Sequence, residues 1–183
     1  MYLLLLLILF SFQIPVFGQN ISGIETRFRE DPSEWVLYRD SLKEEEIGTI
    51  RLRWEDRIDI WDFEIGDISG SIRMKWKENP NIWEVRTDRN NVLVQTTWKD
   101  DFSSWVLPYG GDYNIRYRIR YSNDPEEWIT EDSEDYGFFS QWTDVEGDLN
   151  SWSTNNALIK GKVPIETRIM LCFLPIWINI YRP

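Results

Sequence analysis

Among its 183 residues the chain has no histidine and only one cysteine. Without imidazole it can build neither a Ser-His-Asp nor a Cys-His nucleophile pair, and no side chain has an unperturbed pKa that would switch charge near neutrality. The lone thiol, Cys172, can form neither an internal disulfide nor a cysteine-type zinc site, so the fold rests on packing. Positive charge is scarce as well. Twenty Lys and Arg face 31 Asp and Glu, a net charge of −11, and no run of cations longer than two offsets it locally. Such a surface repels phosphate backbones and anionic membranes, which excludes nucleic acid as a partner.

What the chain has in quantity is aromatic surface: eleven Trp, nine Phe and eight Tyr, within an apolar fraction of 42%. That is enough for one ordinary core, and the length fits one domain. Residues 1–24 carry no charged side chain, and Tyr2 to Phe12 is apolar except for Ser11. The stretch breaks at Gln13 and Pro15, short of the roughly 20 apolar residues that span a bilayer, and Val16-Phe17-Gly18 suits signal peptidase. The expectation is therefore a signal peptide over 1–18 and a single exported domain over 19–183, periplasmic or secreted and not membrane-spanning after cleavage.

The tryptophans fall into register. An aromatic residue precedes a Trp by seven positions in the pairs Phe28/Trp35, Trp54/Trp61, Trp76/Trp83, Trp98/Trp105 and Tyr121/Trp128, while Trp142 and Trp152 stand ten apart. Four positions before the second Trp lies Asp31, Asn79, Asp101, Asp124 or Asp148, with Arg57 the exception. Pro follows in three copies, at Pro32, Pro80 and Pro125. A degenerate last copy is expected where Ile165-Glu166-Thr167-Arg168-Ile169 echoes Ile24-Glu25-Thr26-Arg27-Phe28 and Trp177 follows. The domain thus reads as about six to seven repeats of 21–27 residues.

Before and after each pair the sequence alternates with period two. Ile50, Leu52 and Trp54 are set against Arg51 and Arg53, and Trp61, Phe63 and Ile65 against Asp62 and Glu64. Period two is the signature of a half-buried strand, and Asp/Asn-Pro between two strands is turn chemistry. Each repeat is therefore a β-hairpin. Placing the paired aromatics opposite each other predicts Leu52 against Phe63, Ile50 against Ile65, Arg53 against Asp62 and Arg51 against Glu64. In the next hairpin it predicts Met74 against Val85 and Lys75 against Glu84. The fold class is all-β: an antiparallel up-and-down meander of tandem hairpins, about 12–14 strands. A barrel of 14 strands has a lumen that side chains do not fill, so the meander is expected to close as a flattened barrel or fold over as a sandwich. Strands of five to seven residues are too short for a lipid-spanning barrel, which needs about 9–11.

The periodic tryptophans alternate with charges and so read as core. The candidate binding surface is made of aromatics off that face or in turns: Tyr38, Phe102, Tyr109, Tyr113, Phe139 and Tyr181. The acidic stretch from Asp124 to Asp135 reads as a solvated rim, because it lacks the Asp-x-Asp-x-Asp-Gly pattern of a calcium loop. Asp144-Val145-Glu146-Gly147-Asp148 reads as a loop lengthened by three residues, with carboxylates at alternate positions. Neither metal nor cofactor is expected. The functional expectation is an exported, non-catalytic binding or scaffold module whose partner is a glycan or a protein. The alternative is a glycan-active hydrolase using two carboxylates about 5–9.5 Å apart.

Overall fold

The computed structural model describes residues 20–29, 31–122 and 124–180; the segment read as a signal, and Tyr181, lie outside the described residues. Twelve antiparallel strands follow one another up and down: β1 (Gly23–Phe28), β2 (Asp31–Tyr38), β3 (Glu46–Trp54), β4 (Arg57–Ile65), β5 (Ile68–Met74), β6 (Ile82–Thr87), β7 (Asn91–Trp98), β8 (Asp101–Gly110), β9 (Tyr113–Ile119), β10 (Glu127–Thr130), β11 (Gly137–Thr143) and β12 (Ser151–Leu158). Each pairs with the next, and β12 returns to β1 through Gly23/Ser153, Ile24/Trp152 and Glu25/Ser151. The hairpin meander expected from the sequence closes as a barrel and not as a sandwich.

The degenerate last copy is not a hairpin. Residues Ile165–Ile180 form a helix, α1. The reason lies in Ile169–Trp177, which is apolar on every side and lacks the polar alternation of a strand with one wet face. An element with no polar face must be buried all round, and the barrel offers such a place. Twelve strands spaced about 4.8 Å apart and tilted about 40° close on a radius of roughly 12 Å, more than the wall's own side chains fill. A helix with its side chains is about 10–12 Å across.

Helix α1 occupies this lumen. Ile169 to Leu174, Ile176 and Trp177 are all fully buried. Opposite walls reach them: Phe173 meets Trp61 of β4 and Trp83 of β6 edge-on at 5.4 and 5.3 Å, Trp177 meets Trp83 at 5.0 Å, and Gln141 of β11 donates to the Cys172 carbonyl. At the helix start, Thr87 Oγ1 donates to Glu166 and Thr167 Oγ1 donates to the Pro108 carbonyl at 2.6 Å. These two bonds tie α1 to the ends of β6 and β8.

Each repeat contributes one fully buried Trp: 35, 61, 83, 105, 128 and 152. In all six the indole Nε1 donates to the carbonyl three residues earlier, at 2.8–3.0 Å. A buried indole N–H without an acceptor is costly, so the turn that presents this carbonyl is part of the core. In five repeats the polar residue four before the Trp accepts the amide two residues on: Asp31 from Ser33, Asn79 from Asn81, Asp101 from Ser103, Asp124 from Glu126 and Asp148 from Asn150, at 2.9–3.1 Å. In the exceptional repeat the polarity is reversed, and Arg57 grips Asp59 through both Nε and Nη2. The repeated Asp/Asn-x-x-x-Trp spacing is thus one local device that shapes a turn so that its carbonyl meets the indole.

The strand register differs from the sequence expectation by two residues. Leu52 faces Trp61, Ile50 faces Phe63 and Met74 faces Trp83, and in every repeat the partner of the buried Trp stands nine residues before it. The cause is the turn: the first aromatic pairs with the residue four before the Trp, as in Trp54/Arg57 and Trp98/Asp101. A slip of two keeps every side chain on its expected face. The ion pairs Arg53–Asp62 and Arg51–Glu64 accordingly still form, but as diagonal neighbours, while Glu84 takes Arg73 in place of Lys75. Glycine permits close approach at two bends: a Cβ on Gly48 would lie 2.2 Å from the Glu64 carbonyl oxygen, and one on Gly70 2.5 Å from the Phe63 ring.

The two aromatics of a repeat therefore have different fates, and a pair of substitutions separates them. Trp83→Ala should cost about 3–5 kcal/mol in denaturant melts, whereas Trp76→Ala, 60% exposed, should cost about 0.5 kcal/mol or less. Equal costs would contradict the burial assigned to each.

Candidate functional site

The first aromatic of each repeat continues the inward alternation of its strand beyond the point where the sheet and helix cover it. Ile50 is buried, Leu52 partly so, and Trp54 stands exposed at the mouth; Ile72, Met74 and Trp76 repeat the gradient. Because the strands alternate in direction, all six hairpin tips lie at the same end of the barrel. Phe28, Trp54, Trp76, Trp98, Tyr121 and Val145 therefore crown one rim, each between 46 and 71% exposed.

Val145 takes the place that the sequence spacing gives to Trp142. The Asp148 amide donates to the Val145 carbonyl at 2.9 Å, as Asn79 does to Trp76 and Asp124 to Tyr121. The sixth tip is thus regular, not lengthened by three residues relative to the other long turns. Trp142 follows the buried Gln141 on β11 and so faces the outer wall. Glu78, Asp100 and Gly147 occupy equivalent positions with φ of 64°, 62° and 80°.

Charged groups surround the apolar crown. The guanidinium groups of Arg53 and Arg57 lie 5.5 and 5.3 Å from the Trp54 ring, Lys75 lies 5.7 Å from Trp76, and Arg120 lies 5.3 Å from Tyr121. The turn dipeptides Glu55-Asp56, Lys77-Glu78 and Lys99-Asp100 stand between the aromatics.

At four of the tips, contact with the next one turns on the residue two before the buried Trp. At the third tip Asn81 reaches across to the fourth, accepting the Asp100 amide at 2.6 Å and donating to its carboxylate at 2.9 Å. At the fifth, Glu126 accepts the Gly147 amide of the sixth at 3.0 Å and the Thr143 hydroxyl at 3.0 Å. At the second tip the equivalent residue is Asp59, held by its own Arg57, and at the fourth it is Ser103, whose hydroxyl donates to its own Asp101 at 2.5 Å. Neither is hydrogen-bonded to the next tip among the described residues. Two open clefts lie beside these tips, the first lined by the turns themselves and the second reaching down the wall to the strand pair Ser104/Arg118. One, of about 530 Å³ between the second and third tips, is lined by Asp56, Arg57, Asp59, Met74, Lys77 and Glu78 among others. The other, of about 410 Å³ between the fourth and fifth, is lined by Asp101, Ser103, Ser104, Arg118, Arg120 and Ser122 with Ile119.

The aromatics singled out from sequence are dispersed. Phe139 is buried in the lumen against Tyr117, and Phe102 backs onto Trp177 at 5.7 Å. Tyr38 is half-buried at the end of β2. Tyr109 and the exposed Tyr113 meet at 5.9 Å, with Tyr136 5.1 Å from Tyr109, at the end of the barrel opposite the crown. Tyr181 lies outside the described residues. Among the described candidates, Tyr109 and Tyr113 come together.

In the acidic turn at the sixth tip, Lys43 and the hydroxyls of Ser151 and Ser153 hold the Asp144 carboxylate, while Asp148 caps the Asn150 amide. Among the described residues no cluster of three His, Cys, Asp or Glu side chains is arranged to hold a metal ion. Comparison with protein-family models, with curated proteins and with solved structures finds no match to this chain.

Burial alone would raise the Asp144 pKa, but the hydrogen bonds from Lys43, Ser153 and Ser151 outweigh it and hold the carboxyl below its ordinary 3.8. A carboxyl lowered in the folded state binds fewer protons there than in the unfolded chain, so its contribution is present above about pH 4 and lost as pH falls below it. Asp144→Asn should therefore be less stable than wild type at pH 6, with the difference shrinking between pH 4 and 2 in denaturant melts. Thermal melts in calcium chloride and in EDTA should coincide for both proteins. A calcium-dependent rise that disappears in Asp144→Asn would contradict this account of the loop.

Proposed function

We propose that this protein is an exported, non-catalytic binding module that holds carbohydrate on the aromatic crown. The observation that carries the reading is the presentation of one exposed apolar side chain by each of six hairpin tips on one rim, interleaved with charged turn residues. A sugar ring offers an apolar C–H face together with hydroxyl groups, and sites that hold such ligands combine aromatic surface with a few placed polar groups. Export rests on the apolar, uncharged first 18 residues.

The state of three carboxyl groups at the hairpin tips favours binding over their use as the acid of a hydrolase. Asp31 is lowered by its hydrogen bonds from Ser33, Asp59 by Arg57 and Asp148 by Asn150. A carboxylate-pair hydrolase needs one carboxyl held protonated by a raised pKa, and these three groups are shifted in the opposite direction. Charge on the outer wall, where Arg51 pairs with Glu64 and Arg53 with Asp62, suits an aqueous surface.

The test is a glycan array with a parallel assay for released reducing ends, using the chain from Gln19 and the Trp98→Ala variant. Trp98 is 71% exposed, so the variant should melt with wild type. Wild type should retain glycans and Trp98→Ala should retain them at least about tenfold more weakly, with no sugar released. Release of reducing ends would overturn the non-catalytic reading. Retention by zwitterionic lipid vesicles and not by glycans would replace carbohydrate with a membrane surface.

A further inference from the structure

We infer that the cleft between the fourth and fifth hairpin tips is a subsite for an acidic sugar, with Arg118 receiving a carboxylate or sulfate group; this rests on the carbohydrate reading of the crown. The argument begins from charge accounting. The chain has 31 acids for 20 cations, and carboxylates engage Arg53 (Asp62), Arg57 (Asp59), Arg73 (Glu84) and Arg120 (Glu127). Arg118, like Arg86 and Arg116, has no such partner among the described residues, and of these three it alone lies at the crown end of its strand. Its one hydrogen bond runs from Nη1 to the Ile119 carbonyl at 3.2 Å. The sole carboxylate lining this cleft, Asp101, already accepts both the amide and the hydroxyl of Ser103.

The cleft at the second and third tips has the opposite character. Asp56, Asp59 and Glu78 outnumber Arg57 and Lys77 there, and Arg57 is committed to Asp59. The two clefts beside the tips therefore differ in sign, and an anionic group is directed to the one with Arg118. A planar guanidinium fits a carboxylate or sulfate through two parallel N–H bonds. Ser104, whose hydroxyl lies 2.8 Å from that of Thr97, and Ser122 line the same cleft and offer partners to sugar oxygens. Apolar surface is adjacent: Trp98 is the strand partner of Asp101, and Tyr121 lies between Arg120 and Ser122 in the chain.

The experiment measures binding of dextran sulfate and of polygalacturonate oligomers against unmodified dextran and cello-oligosaccharides. It uses wild type, Arg118→Gln and Arg86→Gln, the last an exposed arginine on the β6 wall. Wild type should bind at least one anionic probe about tenfold more tightly than the uncharged ones, and the stronger of the two identifies sulfate or carboxylate as the group held. Arg118→Gln should lose that preference, and Arg86→Gln should keep it. Raising NaCl from about 0.05 to 0.5 M should weaken the preference, as screening requires. Equal binding of charged and uncharged probes, or an Arg118→Gln protein that retains wild-type preference, would overturn the inference and leave carbohydrate binding standing. Failure of every carbohydrate to bind would overturn both.

Discussion

Phe173 and Trp177 pack among the indoles of Trp61, Trp83 and Trp105, and this contact fills the barrel. A twelve-stranded wall has a lumen too wide for its own side chains, and an empty one would leave the inward Trp, Ile and Val residues without partners on one side. The helix removes that defect. Each buried indole takes about 150–250 Å² from water, of order 4–6 kcal/mol as an upper figure at roughly 25 cal/mol per Å². With no disulfide available, the short closure of β1 on β12, three residue pairs flanked by the Thr26–Asn150 and Thr154–Ser22 backbone bonds, depends on this interior.

The hairpins were legible in the sequence because three constraints repeat together: inward alternation, a polar residue that caps the turn, and a Trp whose N–H needs the turn's carbonyl. Asp31, Asn79, Asp101, Asp124 and Asp148 mark the turns for that reason. The register was not legible to within two residues, because spacing alone does not say whether a turn is closed by the second aromatic or by the capping residue before it. The helix was obscured by the resemblance of Ile165–Ile169 to β1, although the unbroken apolar run that follows was the signal for it. That run also answers how a wide barrel is filled.

The crown was harder to read. Alternation places Trp54, Trp76 and Trp98 on the same face as Trp61, Trp83 and Trp105, and the inference that all are core follows if depth along the strand is ignored. The available signal was position: the exposed member of each pair immediately precedes the turn dipeptide, at or just past the end of its strand. Val145 was hidden because Trp142 stood nearby as a more conspicuous aromatic. The two clefts were not legible at all, since they depend on whether Asn81, Glu126, Asp59 or Ser103 reaches sideways to the next hairpin. Such a contact joins residues near in space with no pattern along the chain.

The central claim, that α1 fills the barrel, is tested most directly by the single thiol. Cys172 lies in the middle of the helix, fully buried, and burial pushes its ionisation well above the ordinary range. Labelling of the folded protein with a thiol-reactive disulfide reagent should proceed no faster than unfolding and should become complete in denaturant. Rapid stoichiometric labelling under native conditions would place the helix outside the lumen and contradict the account.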